Sequence, residues 1–341
     1  PRPALRGKEG AALTASRECM LASLAWSFVP RRCGYVIDCP RNYSLADVNA
    51  SAASWREDDP PLSETLGRLE AQAEQACHAR KANAGTSSCQ QKGDTSCPYL
   101  KHGGWCLEDK GASAVELPNG QTYLLPRHHA MADGLVVAFL SALLSGSIAG
   151  RCRSGRTPLA VADFGAGVGQ YGHSLLSLQP DVRWKGYDGA GNVRTFTGGF
   201  VSFIDLTVPV ALPRADWVVS LEVGEHVHYT NEYMLIRNLH AHNCRGVIIS
   251  WARLGQWGFG HINNHSPSYV AKTFAELGYR YSPLLSNAIR KGDGIQVPRD
   301  HNATKERYFW FRRTSVAVFE RLSPLESPGC TPCTMRSSRA A

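Results

Sequence analysis

Between residues 158 and 322 short apolar runs alternate with longer stretches in which apolar residues recur every three or four positions. The runs are 158–164, WKGYD ending at Asp188, FVSFID ending at Asp205, ADWVVSLE ending at Glu222, and RGVIISW at 245–251. Such runs, rich in β-branched and aromatic residues, predict buried strands. Residues 170–178, 231–243 and 267–277 show helical spacing, while 279–282 and SVAVFERL predict two last strands. This alternation predicts an α/β fold with a doubly wound, Rossmann-like, largely parallel sheet, whose ligands sit at the carboxyl ends of the strands.

Upstream the pattern changes. Residues 130–144 are almost wholly apolar and predict a buried helix. From Asp59 and Pro60, a cap and a first-turn proline, Leu62, Leu66, Leu69, Ala73 and Ala76 share one helical face. Residues 84–120 are dominated by Gly, Ser, Asp and Pro, have no period, and read as loop. The expected organisation is an irregular, cysteine-rich extension over 1–120, an α/β domain over 121–322, and a disordered Ser/Pro-rich tail over 323–341.

The chemistry gathers at strand ends. In VADFGAGVGQYG, Asp163, Gly165, Gly167 and Gly169 fall between a strand and a helix. Glycines there let the backbone turn sharply and come close to a ligand, and the helix start offers free N–H groups. Asp188 ends the next strand, where an acid accepts ribose hydroxyls. Asp205 and Glu222 end the following two. A ring of carboxylates suits a cationic cofactor, and S-adenosylmethionine carries both a sulfonium and an ammonium group.

Residues 125–321 resemble a class I S-adenosylmethionine-dependent methyltransferase of the type 11-like branch. A subset of methyltransferase-like proteins shares the phrases GGWC, DFGAGVGQYG, YDGAGNV, SLEVGEHV and SWARLGQWGFGHINN. The resemblance implies a seven-stranded sheet. It also implies that Asp163, Gly165, Gly167 and Gly169 line the methionine end of the cofactor, Asp188 holds the ribose and Asp205 faces the adenine amino group. For Asp205 a plain strand-end turn is an equal reading. Glu222 joins the cofactor-binding set.

Methyl transfer chiefly requires positioning. An oxygen acceptor must also lose a proton, so a base or a metal is expected beyond the fourth and fifth strands. Glu222, Glu225 and His226 stand beyond the fourth, and His261 stands in GFGHINN beyond the fifth. Together they form a candidate site for Mg²⁺, Mn²⁺ or Zn²⁺, and the string resembles the metal-binding string of ubiquinone-pathway and small-RNA O-methyltransferases. Without a metal, His261 is the expected base; Glu225 capping a helix and a packed His226 are the structural alternative. His128, His129 and Asp133 are weaker substrate-site candidates, and Trp257 and Phe259 candidate acceptor contacts. The expected acceptor is a small molecule or a glycan-like compound. The alternatives are RNA 2′-O-methylation and a non-catalytic, secreted cofactor-binding protein.

The net charge of +8 invites a nucleic-acid reading, but the basic residues are scattered. Only RYFWFRR interleaves aromatics with arginines, and it reads as a strand edge with solvated charge. No apolar run near the start approaches the roughly 20 residues needed to span a bilayer. Cys19, Cys33, Cys39, Cys77, Cys89, Cys97 and Cys106 crowd the first third. They lack zinc-ligand spacing, so they predict disulfides and a secretory or extracellular setting in preference to the cytoplasm. Sequons at Asn42, Asn49, Asn264 and Asn302 would permit glycosylation there.

Overall fold

The computed structural model describes residues 41–54, 56–57, 59–82, 105–127, 129–147, 159–256, 258, 261–295, 310–325 and 330. The chain enters through two helices, α1 (Leu45–Ala53) and α2 (Pro60–Ala82), then a hairpin of β1 (Ser113–Glu116) and β2 (Thr122–Leu125). Helix α3 (Gly134–Leu144) precedes the alternating region. That region runs β3 (Ala160–Phe164), α4 (Gln170–Leu178), β4 (Arg183–Asp188), α5 (Val193–Phe196), β5 (Val201–Phe203), β6 (Ala215–Ser220), α6 (Glu232–Ala241) and β7 (Asn243–Ile249). It closes with α7 (Pro267–Glu276), β8 (Tyr279–Tyr281), α8 (Pro283–Lys291), α9 (Trp310–Thr314) and β9 (Ala317–Arg321).

The sheet is the doubly wound, seven-stranded one expected. Its order is β5-β4-β3-β6-β7-β9-β8. Strands β3 to β7 are parallel, and β9 is antiparallel to both β7 and β8. Chain direction across the sheet reverses between β3 and β6, and the crevice for a ligand opens there. Strands β3 and β6 are buried along their whole length because helices cover both faces. One face packs Val136, Phe139 and Leu143 of α3, Leu175 of α4 and Ile289 of α8 against Val161, Val219 and Ile248. The other packs Val48 of α1, Leu235 and Leu239 of α6 and Phe274 of α7 against Ala162, Val218 and Val247.

The first third is more ordered than its composition suggests. Residues 113–120, read as loop, pair with 121–125 as a hairpin around Gly120, whose φ of 81° suits the turn. Tyr123 and Leu125 are its buried side chains. With Ala73 of α2, they pack on Ala166, Val168, Ala190 and Val193, so the extension covers the carboxyl ends of β3 and β4. Four-residue strands carry too little alternation to stand out among Gly and Asp. Helices α1 and α8 were also not foreseen, and both owe their place to tertiary burial. Among the described residues, two bridges form: Cys77–Cys106 and Cys244–Cys330. The second, with the Leu325 N–H bonded to the Cys244 carbonyl at 2.9 Å, fastens the chain beyond β9 to β7. No helix among the described residues is long and apolar enough to cross a membrane.

One charged residue is not where the sequence put it. Arg312, read as solvated strand-edge charge, sits on α9 at 5% exposure, and its Nε donates to Asp133 Oδ2 at 2.8 Å. Asp133 Oδ1 accepts the Leu135 and Val136 N–H groups and caps α3. Asp133 is therefore structural. Asp133→Ala is expected to cost about 3–5 kcal/mol, because it strands a buried guanidinium as well as a cap. Urea unfolding measures this, and a loss below about 1 kcal/mol would mean that Arg312 escapes to water.

Candidate active site

The loop after β3 is shaped by its glycines. Gly165, Gly167 and Gly169 all have positive φ, and a Cβ on Gly165 would collide with Val223 in the loop after β6. The two loops therefore touch at the point where the sheet reverses direction. Asp163 is 3% exposed, and its Oδ2 has no hydrogen-bond partner among the described residues. Burial pushes its carboxyl up to about 7; the charge of Asp188 adds to this, while the Trp184 indole opposes it. The ring of His129 lies against Gly167.

Asp188 links two loops. Its Oδ2 accepts the Gly167 N–H and its Oδ1 the Ala190 N–H, each at 2.8 Å. Asp205 is a turn residue: its Oδ1 accepts both the N–H and the hydroxyl of Thr207, at 2.8 and 2.6 Å. Trp184, Phe200 and His173 stack in sequence beside the glycine loop and reach Tyr123 of the hairpin.

Beyond β6 lie the proposed catalytic groups. Glu222 has φ of 58°, an uncommon value for a residue with a Cβ. It is held by reciprocal bonds with Ser250: the Glu222 N–H donates to Oγ, and the Ser250 hydroxyl donates to Oε1, both at 2.8 Å. Burial raises its carboxyl to about 7, against hydrogen bonds from Ser250 and with Glu225. Glu225 and His226 share a short helical turn, Gly224–His226. Glu225 is 0% exposed, and apart from the Glu222 carboxyl its oxygens have no hydrogen-bond partner among the described residues. Burial and then the neighbouring Glu222 hold its carboxyl well above the ordinary range. No helix cap uses Glu225.

His261 completes the cluster. Glu225, His226 and His261 each offer a ligand atom, all within 4.8 Å of one another. Glu222 lies outside this group and is committed to Ser250. His261 is buried, its Nδ1 makes no hydrogen bond among the described residues, and burial, opposed by the Gln256 backbone, lowers its pKa. Only glycine fits at 258, because a Cβ there would strike His261 Nε2. The loops are in register: the Ile262 and Asn263 N–H groups both donate to the Glu225 carbonyl, at 2.8 and 3.1 Å.

Several residues of this frame were missed in the sequence. Glu232, 2% exposed, accepts from Asn263 Nδ2 and His265 Nε2 on one oxygen and from Tyr43 and Tyr269 hydroxyls on the other. Burial pushes its carboxyl up, but His265, Tyr269 and Asn263 outweigh that and hold it below the ordinary value. Trp251 Nε1 donates to the Asn263 carbonyl at 2.6 Å. The only signal was the run of polar residues following His261. Asn264 is buried, and its amide donates to the Arg253 and Gln256 carbonyls, so that sequon cannot carry a glycan in the folded protein. His128, Trp257, Phe259 and Asn302, with Cys19, Cys33, Cys39, Cys89 and Cys97, lie outside the described residues.

No family model matches the sequence, and no curated protein does. Among solved structures, the chain is similar to magnesium protoporphyrin IX methyltransferase from Synechocystis with bound SAM. The two are 17% identical, with 55% of this chain and 79% of that one covered, at a TM-score of 0.35. The plantazolicin methyltransferase BpumL, in complex with an analog and SAH, is 11% identical over 57% of this chain and 86% of that one, at a TM-score of 0.40. The methyltransferase domain of bacterial CtHen1 is 14% identical over 55% of this chain and 97% of that one, at a TM-score of 0.36.

Proposed function

We propose that this protein is an S-adenosylmethionine-dependent methyltransferase that transfers a methyl group to an oxygen of a small molecule, assisted by a divalent cation. One observation carries the reading: a buried carboxyl, Glu225, met by a second carboxyl, Glu222, and facing two imidazoles beside a glycine loop. A carboxylate left bare in a protein interior is costly unless a ligand meets it.

The cofactor, when bound, supplies an electrophilic methyl group on a sulfonium. The residues present fit it. Asp163 offers a bare buried oxygen to an ammonium, and the glycine loop leaves room that side chains would fill. We assign the ribose hydroxyls to Asp188, and for Asp205 the Thr207 turn contacts favour the turn reading. One carboxylate and two imidazoles suit Mn²⁺ or Zn²⁺ better than Mg²⁺. Glu225, His226 and His261 would hold such an ion, whose chemistry is to lower the pKa of an acceptor hydroxyl. Without an ion, the neutral His261 is the base.

A small acceptor is favoured because the hairpin and α2 close over the loops that form the site. Arg312, from the one stretch that resembled a base-stacking surface, is instead in a buried ion pair. The Cys77–Cys106 and Cys244–Cys330 bridges support a secretory or extracellular setting.

The test is transfer of labelled methyl groups to fractionated metabolites, glycans and RNA across a metal series. Excess chelator is expected to abolish turnover while calorimetric binding of S-adenosylhomocysteine stays within about threefold, because Asp163 and Asp188 lie outside the cluster. Full turnover in chelator, with His261→Ala inactive, would remove the cation and leave His261 as base.

A further inference from the structure

The cofactor loops and the Glu225 cluster do not account for the GGWC phrase, of which Trp105 and Cys106 are described. Each residue of the tripeptide Trp105-Cys106-Leu107 is tied to a different part of the site. The Trp105 ring meets the His226 imidazole edge-on, with centroids 5.3 Å apart. His226 meets His261 in turn at 5.1 Å, so His226 is packed between an indole and the other imidazole of the cluster. Cys106 is bridged to Cys77 of α2. The Leu107 N–H donates to the Asn192 amide oxygen at 2.8 Å, and Asn192 Nδ2 donates back to the Leu107 carbonyl at 2.9 Å. Helix α2 is itself seated on the loop after β4, where a Cβ on Gly191 would strike the Ala73 carbonyl and approach Cys77 Sγ to 2.9 Å.

His226 needs such a wall. It sits half-buried on a short turn, not on a strand or long helix. A metal-binding imidazole grips well only when its ring is already oriented, and the groups that orient it are worth 10- to 100-fold in affinity. We propose that Trp105 is a positioning residue for the Glu225–His226–His261 cluster, and that the Cys77–Cys106 bridge locks it there. The cation affinity of the cluster then follows the state of that bridge. A dithiol reductant acting on it gives up two electrons and two protons, leaves Cys77 and Cys106 as thiols, and closes its own disulfide. Trp105 then loses that anchor and keeps beside it the Leu107 bonds to Asn192. The cation part of this inference rests on the proposed function; the packing of Trp105 on His226 does not.

Two readouts separate them. The first is the dissociation constant of Mn²⁺ alone, by electron paramagnetic resonance, for the full chain with its bridges formed. Trp105→Ala is expected to weaken Mn²⁺ binding about tenfold, and Trp105→Phe to keep it within about threefold of wild type. Cys77→Ser/Cys106→Ser is expected to match Trp105→Ala. Cys244→Ser/Cys330→Ser, which opens the other bridge, is expected to match wild type. The second readout is the ring-proton resonance of His226 in histidine-labelled protein without metal, assigned with His226→Gln. Trp105→Ala and the Cys77/Cys106 double variant are expected to move it, and the Cys244/Cys330 variant to leave it. If wild type takes up no Mn²⁺, the cation reading fails while the resonance still decides the positioning role. A resonance that Trp105→Ala does not move overturns the proposal, and so does a Cys77/Cys106 variant that behaves as wild type in both readouts.

Discussion

Glu225→Gln is expected to weaken Mn²⁺ binding by at least about 100-fold, since losing even an outer partner of a metal ligand costs 10- to 100-fold. The same variant is expected to keep or raise its thermal midpoint. The two effects have one cause. Glu225 is fully buried and, apart from the Glu222 carboxyl, has no hydrogen-bond partner among the described residues, so its charge contributes nothing favourable to the fold. Burial and Glu222 raise its carboxyl, and the metal-free protein keeps a proton on the Glu222–Glu225 pair near neutral pH. Glutamine has the same shape without the titratable proton. A cation must displace that proton, so Mn²⁺ affinity is expected to rise with pH, by up to about tenfold per unit, until the pair is ionised. Binding titrations and thermal melts on one sample decide it. Unchanged Mn²⁺ affinity together with a fall of the midpoint by several degrees would make Glu225 a structural acid and defeat the metal site.

Binding of S-adenosylhomocysteine is expected to tighten about tenfold per pH unit between roughly pH 5 and 7, and to level off above. Asp163 is the source. Its folded carboxyl stands at about 7 against an ordinary 3.8. An ammonium beside it favours the charged form, so binding below about pH 7 must release a proton. The sign for stability is the opposite. Between the two pKa values the folded protein holds a proton that the unfolded chain has lost. The stabilisation is thus complete below the unfolded value and is lost as pH rises toward 7. Asp163→Asn is expected to flatten both profiles and to weaken binding about 10- to 100-fold at pH 8, the value of a hydrogen bond to a charged group. Calorimetry across pH reads it, and a pH-independent wild-type affinity would show that Asp163 does not meet the ammonium.

What the sequence determined by itself was whatever a short window encodes. Strands buried on both faces are largely apolar, so β3, β6 and β7 were legible as runs in spite of Asp163, Asp216 and Arg245 within them. The glycine loop was legible because positive φ admits almost nothing else. Asp163, Asp188, Glu225, His226 and His261 were legible because strand ends are where such a fold gathers its chemistry.

The tertiary structure alone decided which of these groups meet. Glu222 and Glu225 look equivalent in the sequence, yet Ser250, 28 residues further on, bonds the first, and among the described residues the second meets only the Glu222 carboxyl. Arg312 looks like surface charge until Asp133, 179 residues away, is brought to it. Glu232 carries no local signature, and the phrases holding Trp105 and Asn263 give no role for them, because their roles are contacts across loops from separate strands. A residue's own window fixes its backbone and its share of the core. Its protonation state, its partner and its use depend on which distant groups the sheet order places beside it.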